Sequence, residues 1–370
     1  MNGWVLLRYS DAVSYLNDCR FSRQAYLRTL RQRYGDSPIL ESQRREVVFT
    51  DPPQHKRLRR LADRASQLQN STPFRPVIER LVTEKLKRVL AKGQMDLIAD
   101  LAEPLPPEVL ALWLGVPIEK VPVLKDWVLA IQRGRGIVRS PETTAEASRA
   151  VQDLEAYFSE LIAERRKSPR NDVITSLIQA EDRGDRLTEQ ELLMFSWGLF
   201  SAGHTSVQYL IGNALLALLR HPEQMEQLRG DRSLIPYAIE EALRYDPPTQ
   251  ALNPQVALED VIIGNDTIKR GEAVSVLIGA VNRDPERFPD PDRFDITRTD
   301  HHHLSFGTGE HYCMGAPLAR LQAQITLAMV LQRLPNLRLA TDRLEWQKLG
   351  RFRGLVALPV TFDSVTSTQN

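Results

Sequence analysis

Only two cysteines, Cys19 and Cys313, occur in this 370-residue chain. The second lies in Phe306-Gly-Thr-Gly-Glu-His-Tyr-Cys-Met-Gly-Ala-Pro-Leu-Ala-Arg320. A cysteine taken alone is more often a small core residue than a reactive one. Its frame argues for more. Gly307 and Gly309 permit tight turns and the close approach of a flat partner, and Gly315 with Ala316 leaves the far side of the thiol equally clear. Pro317 suits the first turn of a helix, where its missing N–H costs nothing. The pattern predicts Cys313 at a helix N-terminus, where the dipole favours a thiolate. A thiolate with open space beside it is a ligand for a soft metal or for haem iron.

Other residues carry chemistry at informative spacings. His55 and Arg59 are four apart in a helix predicted to start after Asp51-Pro-Pro, so they project from one face. Two cations on one face either meet an anion or form a solvated surface. Glu241 and Arg244 stand three apart in a predicted helix, the spacing of an ordinary surface ion pair. His301-His302-His303, with His311 and Cys313, offers a zinc or copper set, but adjacent histidines diverge and that set leaves the glycines unexplained.

The elements that must position these groups are mostly helical. Periodicity predicts helices at Asp11–Asp18, Ile78–Leu90, Asp96–Leu114, Lys125–Gln132, Ala145–Lys167, Asn171–Ala180 and Ser233–Tyr245, with breaks at Gly134 and Gly136. Arg20–Thr50 has weak periodicity and reads as a long mobile loop. Leu192–Leu219 contains no Asp, Glu, Lys or Arg over 28 residues. Its mid-span Ser201, His204, Thr205, Ser206 and Gln208 argue against a lipid-facing span and for one long buried helix from the Thr188/Glu191 capping box to Arg220. Short strands follow around Val256–Leu258, Val261–Gly264, Thr267–Gly271 and Ala273–Ile278, with a closing strand pair at Leu355–Phe362. The fold class is mainly α with a smaller β-rich lobe (α+β) in one domain spanning 1–370. The β-rich lobe draws on about 1–50, 250–280 and 345–365, the α-rich lobe on about 51–249 and 281–340. A net charge of +1 gives no bias toward nucleic acid or membrane. Two distant cysteines and no signal-peptide pattern point to a cytoplasmic protein.

In chain order, Asp51-Pro-Pro-x-His55-x-x-x-Arg59, Ala202-Gly203-His204, Glu241-x-x-Arg244, Asn282-Arg283 with Phe288-x-x-Pro291-x-x-Phe294, and Phe306-x-x-Gly309-x-His311-x-Cys313-x-Gly315 together resemble the cytochrome P-450 family, in its bacterial soluble type. The resemblance implies a long central helix over haem b (iron protoporphyrin IX), with Cys313 as its axial thiolate and metal ligand, whose electron donation favours O–O cleavage. It implies that His55, Arg59 and His311 bind the propionates, that Phe306 and Gly315 shield and clear the cysteine, and that Glu241–Arg244 is a buried structural pair. The implied activity inserts one oxygen atom from O2 into a small organic substrate of secondary metabolism, free or carrier-linked. Electrons would come from a ferredoxin and ferredoxin reductase or a similar donor, which Lys56, Arg57 and Arg60 could meet. The resemblance places substrate contacts at Tyr26–Val48, Trp127–Ile137, Leu199–Thr205, Thr249–Leu252 and Arg351–Leu355. Arg133, Arg135 and Arg139 are candidates for an acidic or carrier-linked substrate.

Three departures qualify this. The family's acid–threonine pair over the haem is Thr205–Ser206 in ungapped register and His204–Thr205 after a one-residue slide. Neither contains a carboxylate, so His204, Thr205 and Ser206 are the catalytic candidates, acting as a hydroxyl–water relay. Peroxide-driven oxidation, oxidative coupling or rearrangement is the alternative chemistry, and a non-catalytic haem-binding or recruitment module the alternative class. Gln255 falls where many relatives carry an arginine that reaches a propionate. The chain also begins near the family's first strand, implying an altered substrate entrance or a mis-set start codon.

Overall fold

The computed structural model describes residues 3–66, 71–135, 140–182, 184–348 and 350–364. Helices dominate, as the periodicity predicts. A large apolar core gathers Phe158, Trp197, Phe200, Leu210, Ile325 and Val330 between them. A second, smaller core of Leu6, Tyr15, Phe21, Val274 and Val276 lies under a four-stranded sheet. That sheet takes Gly3–Leu6, Ala273–Val276, Gln255–Ala257 and Phe21–Ser22 in this spatial order. Its first pair is parallel and the other two are antiparallel. Chain segments about 270 residues apart therefore share one core.

Residues 20–50 are not the loop that weak periodicity predicts. They form the strand Phe21–Ser22 and the helices Arg23–Tyr34 and Pro38–Arg45. Capping supplies what periodicity lacks: the Ser22 and Ser37 side chains accept the amides of Ala25 and Leu40. The predicted helix Asp96–Leu114 is divided into a strand (Gln94–Asp96), a π-helical turn (Ile98–Ala102) and a helix (Leu105–Leu114), with Pro104 at the division. The closing segment is not a hairpin. Pro359–Thr361 pairs with Arg338–Leu339 on one side and Gln94–Asp96 on the other.

The buried, charge-free stretch is two helices, Glu189–Gly203 and Thr205–Arg220, meeting at His204. The physical cause is local. Gly203 is a poor helix former, and Ser206 Oγ donates to the Ala202 carbonyl at 3.3 Å, competing with the backbone ladder. No described helix is long and apolar enough to cross a membrane. Gly136, Ile137 and Arg139 lie outside the described residues.

Candidate functional site

The chain reaches Cys313 through two left-handed glycines, Gly307 at φ 69° and Gly309 at φ 70°, a region that L side chains rarely adopt. Gly309 has a second constraint, since a Cβ there would lie 2.6 Å from Asn17 Oδ1. The turn closes through Gly307 N to Leu304 O and Cys313 N to Phe306 O, both 2.9 Å. Helix Ala316–Arg333 starts at once, with Pro317 in its first turn, and the amides of Gly315 and Ala316 reach the sulfur. Cys313 is solvent-accessible, yet deep enough that desolvation dominates its thiol. Burial pushes the thiol pKa up, against the pull of those amides and of Arg59 and Arg320. At Gly315 the amide matters more than the missing side chain, because a Cβ would sit 3.9 Å from Sγ, an ordinary contact.

Helix Gln54–Ser66 brings His55 and Arg59 to this loop. The His55 and His311 rings lie 3.8 Å apart, centroid to centroid. His55 is 2% exposed, and its Nδ1 finds no partner among the described residues. Burial lowers the pKa of both imidazoles. It takes His311 down to about 2, with help from Arg23, His55 and Arg59. Arg59 turns to other partners: Nε donates to Asp63 at 3.0 Å and Nη1 to the Tyr312 carbonyl at 2.7 Å. It clamps the cysteine loop to the helix.

The three catalytic candidates do not share one environment. His204 and Thr205 are buried, whereas Ser206 is partly exposed and its hydroxyl partner, Ala202, is exposed. Thr205 Oγ1 lies 3.0 Å from His204 Nε2 and accepts from Gln132 Nε2 at 3.1 Å. Burial drops the His204 pKa to about 4, and Lys125 adds to the effect, so the imidazole is neutral near pH 7. Of the three, Ser206 alone presents an accessible hydroxyl at the helix break.

Glu241 and Arg244 form the buried pair that the resemblance implies, 0% and 1% exposed, and not the surface pair that their spacing alone suggests. Nε and Nη2 of Arg244 donate to the carboxylate at 2.7 and 2.8 Å. The remaining donors serve the carbonyls of Asn282, Pro291 and Arg293. Asn282 in turn accepts Leu304 N at 2.8 Å, which carries the pair's influence to the start of the cysteine loop. A neighbouring network escapes the sequence pattern. Glu240 receives Arg320 through two 2.7 Å bonds and faces His303 at 3.2 Å. Arg320 also donates to the Tyr312 hydroxyl and lies 4.5 Å over the Phe306 ring. Only the adjacency of Glu240 to Glu241, and of Arg320 to the cysteine frame, hints at it.

His301, His302 and His303 diverge toward Tyr237, Asp300 and Glu240. No group of three or more His, Cys, Asp or Glu among the described residues is placed to hold a metal. Lys56 pairs with Glu310, and Arg57 with Glu191 and Asp185. Arg133 pairs with Glu146, Arg135 with Glu46.

A sequence model described as cytochrome P450 matches residues 137–341. The biotin-biosynthesis cytochrome P-450 of Bacillus subtilis (strain 168) is 40% identical over 361 residues, covering 98% of this chain and 90% of the relative. This chain belongs to the cytochrome P-450 family. The mycinamicin IV hydroxylase/epoxidase of Micromonospora griseorubida is 37% identical, with 97% and 89% coverage. Among solved structures, a BioI cytochrome P-450 in complex with hexadec-9Z-enoic acid-ligated acyl carrier protein superposes with a TM-score of 0.91 at 40% identity. It covers 98% of this chain and 92% of that one. Cytochromes P-450 are monooxygenase-type oxidoreductases with haem b as cofactor, and this chain is one of them. The residues present fit that group: an accessible thiol meets helix-start amides, and an unpartnered imidazole nitrogen is available to an anionic group.

Proposed function

We propose that this protein is a haem-thiolate monooxygenase in which Cys313 would supply the thiolate to the haem, acting on a small organic substrate with electrons from a separate ferredoxin-type donor. The accessible Cys313 thiol at the start of Ala316–Arg333, with two amides turned to it, is the observation that carries this reading. Bound there, the haem supplies oxygen activation, promoted by the electron-donating thiolate. His55 and His311 hold a propionate, Arg59 fixes the loop through Tyr312 O, and Arg320 fixes Phe306. Ser206 orients a water at the helix break, while Thr205, tied to Gln132 and His204, buttresses that break. The carrier-bound acyl chain of the BioI relative supports a carrier-linked acyl substrate.

The reduced, carbon monoxide-bound spectrum tests the ligand. Wild type should show the red-shifted thiolate Soret band and Cys313→Ser should lose it. A histidine-type band in wild type overturns the assignment. A second reading, peroxide-driven or non-oxygenating chemistry, rests on the lack of any Asp or Glu between Leu192 and Leu219. Product formed with hydrogen peroxide alone, and none with reduced ferredoxin and O2, would favour it.

A further inference from the structure

Arg23 is a buried cation with too few partners. It is 6% exposed, and its Nε has no hydrogen-bond partner among the described residues. Its guanidinium bonds only the Val48 carbonyl, from Nη1 at 3.2 Å, among those residues. The nearby carboxylate of Asp51 is committed elsewhere. It accepts Ser22 Oγ at 2.5 Å and the backbone amides of Arg23 and Gln24 at 3.0 and 3.3 Å. Tyr15 also faces Arg23 but is held as a neutral phenol, its pKa raised by burial, so it offers no counter-charge. A guanidinium stays charged in a protein, and a buried charge without an anion is costly. The charge of Asp51 offsets part of this cost from nearby, but among the described residues no anion bonds the guanidinium itself.

The surroundings say which anion. The His55 amide donates to the Asp51 carbonyl at 3.0 Å, and the His55 ring stacks on His311 beside the cysteine loop. Asp51 joins the start of Arg23–Tyr34 to the residues just before His55. Ser22 pairs with Val256 in the antiparallel ladder, so Arg23, first in the helix that Ser22 caps, follows directly on the strand that lies beside Gln255–Ala257. At position 255 many family members carry a propionate-binding arginine.

We infer that Arg23 is a haem-propionate ligand in this protein and supplies, from the end of the neighbouring strand, the guanidinium that position 255 lacks. The corner then holds Arg23, His55 and His311, donors suited to a carboxylate in a planar, charge-assisted contact. This rests on the haem reading above, which the carbon monoxide spectrum tests by itself.

The experiment measures transfer of ferric haem from holoenzyme to excess apomyoglobin. Loss of one charge-assisted contact predicts release roughly 10- to 100-fold faster from Arg23→Gln than from wild type. The thiolate spectrum should be retained. With protohaem dimethyl ester, whose propionates cannot carry charge, the two proteins should release at the same rate. Adding Gln255→Arg to Arg23→Gln should restore slow release. If Arg23→Gln does not fold, Arg23→Lys carries the test, with intermediate release that converges on wild type for the ester. Equal protohaem release from variant and wild type would overturn the inference. Acceleration that persists with the ester would also overturn it, by showing a merely structural effect. Failure of Gln255→Arg to restore retention would overturn the exchange of positions.

Discussion

Arg244→Leu probes how the helix Ile235–Tyr245 holds the segment that feeds the cysteine loop. The substitution removes two charge-assisted bonds to Glu241, at 2.7 and 2.8 Å, and strands the carbonyls of Asn282, Pro291 and Arg293. Glu241 is not left alone, because Asp295 N donates to it at 2.9 Å and Arg298 Nε lies 3.3 Å away. Breaking a buried pair from one side costs about 3–5 kcal/mol, and the retained partners put Arg244→Leu near about 3 kcal/mol. That is a large part of a total stability of about 5–15 kcal/mol. Glu241→Leu should cost at least as much, since it leaves Arg244 charged and frees the Asp295 amide. The double variant removes both charges. It should cost about as much as the worse single change and not the sum, a coupling of about 2 kcal/mol or more. Urea unfolding of holoenzyme, followed in parallel by far-UV circular dichroism and Soret absorbance, measures all three. The Soret signal should fail first, because Asn282 links Arg244 to Leu304. A cost below about 1 kcal/mol for Arg244→Leu, or additive single effects, would refute the buried-pair reasoning.

Three further outcomes follow from two other networks. Ser206→Ala should uncouple electron consumption from product, read as excess peroxide per product. Thr205→Val should chiefly lower the thermal midpoint, by removing its bonds to Gln132 and His204, and equal coupling in Ser206→Ala and wild type would remove Ser206 from the proton path. Glu240 is subject to a raising effect of burial, but bonds from Arg320 and His303 overcome it and take its pKa down to about 2 from 4.5. A depressed carboxylate contributes stability that is present above about pH 4.5 and lost as pH falls toward about 2. The stability difference between wild type and Glu240→Gln should therefore shrink across that window, and a difference flat from pH 6 to about 2.5 would contradict the ion pair.

Much of the site is legible in the chain because it is local. Left-handed glycines, a proline in a first turn and a cysteine between them specify a backbone path over a dozen residues, and the structure follows it. The His55/Arg59 spacing correctly sets both on one helix face, but spacing says nothing of what each meets; Arg59 turns to Asp63 and Tyr312 O. Arg20–Thr50 misleads because Arg23–Tyr34 is amphipathic only weakly, Pro38–Arg45 is just two turns long, and serine caps and Asp51 hold them. The broken helix misleads for the opposite reason. Its apolar pattern is continuous, and the interruption depends on Gly203 and on a hydroxyl competing for one carbonyl.

By itself, the sequence determined the family, the thiol at the helix start and the pair that braces the loop, since short motifs encode backbone geometry through nearest neighbours. Tertiary structure alone decided which polar groups meet across long stretches of chain. It set Glu240 against Arg320, 80 residues away. It buried Thr205 and left Ser206 accessible. It also buried Arg23 and tied it through Asp51 to His55, which stacks on His311. Such meetings follow from how separate helices and strands share a core, and no periodicity along the chain records them.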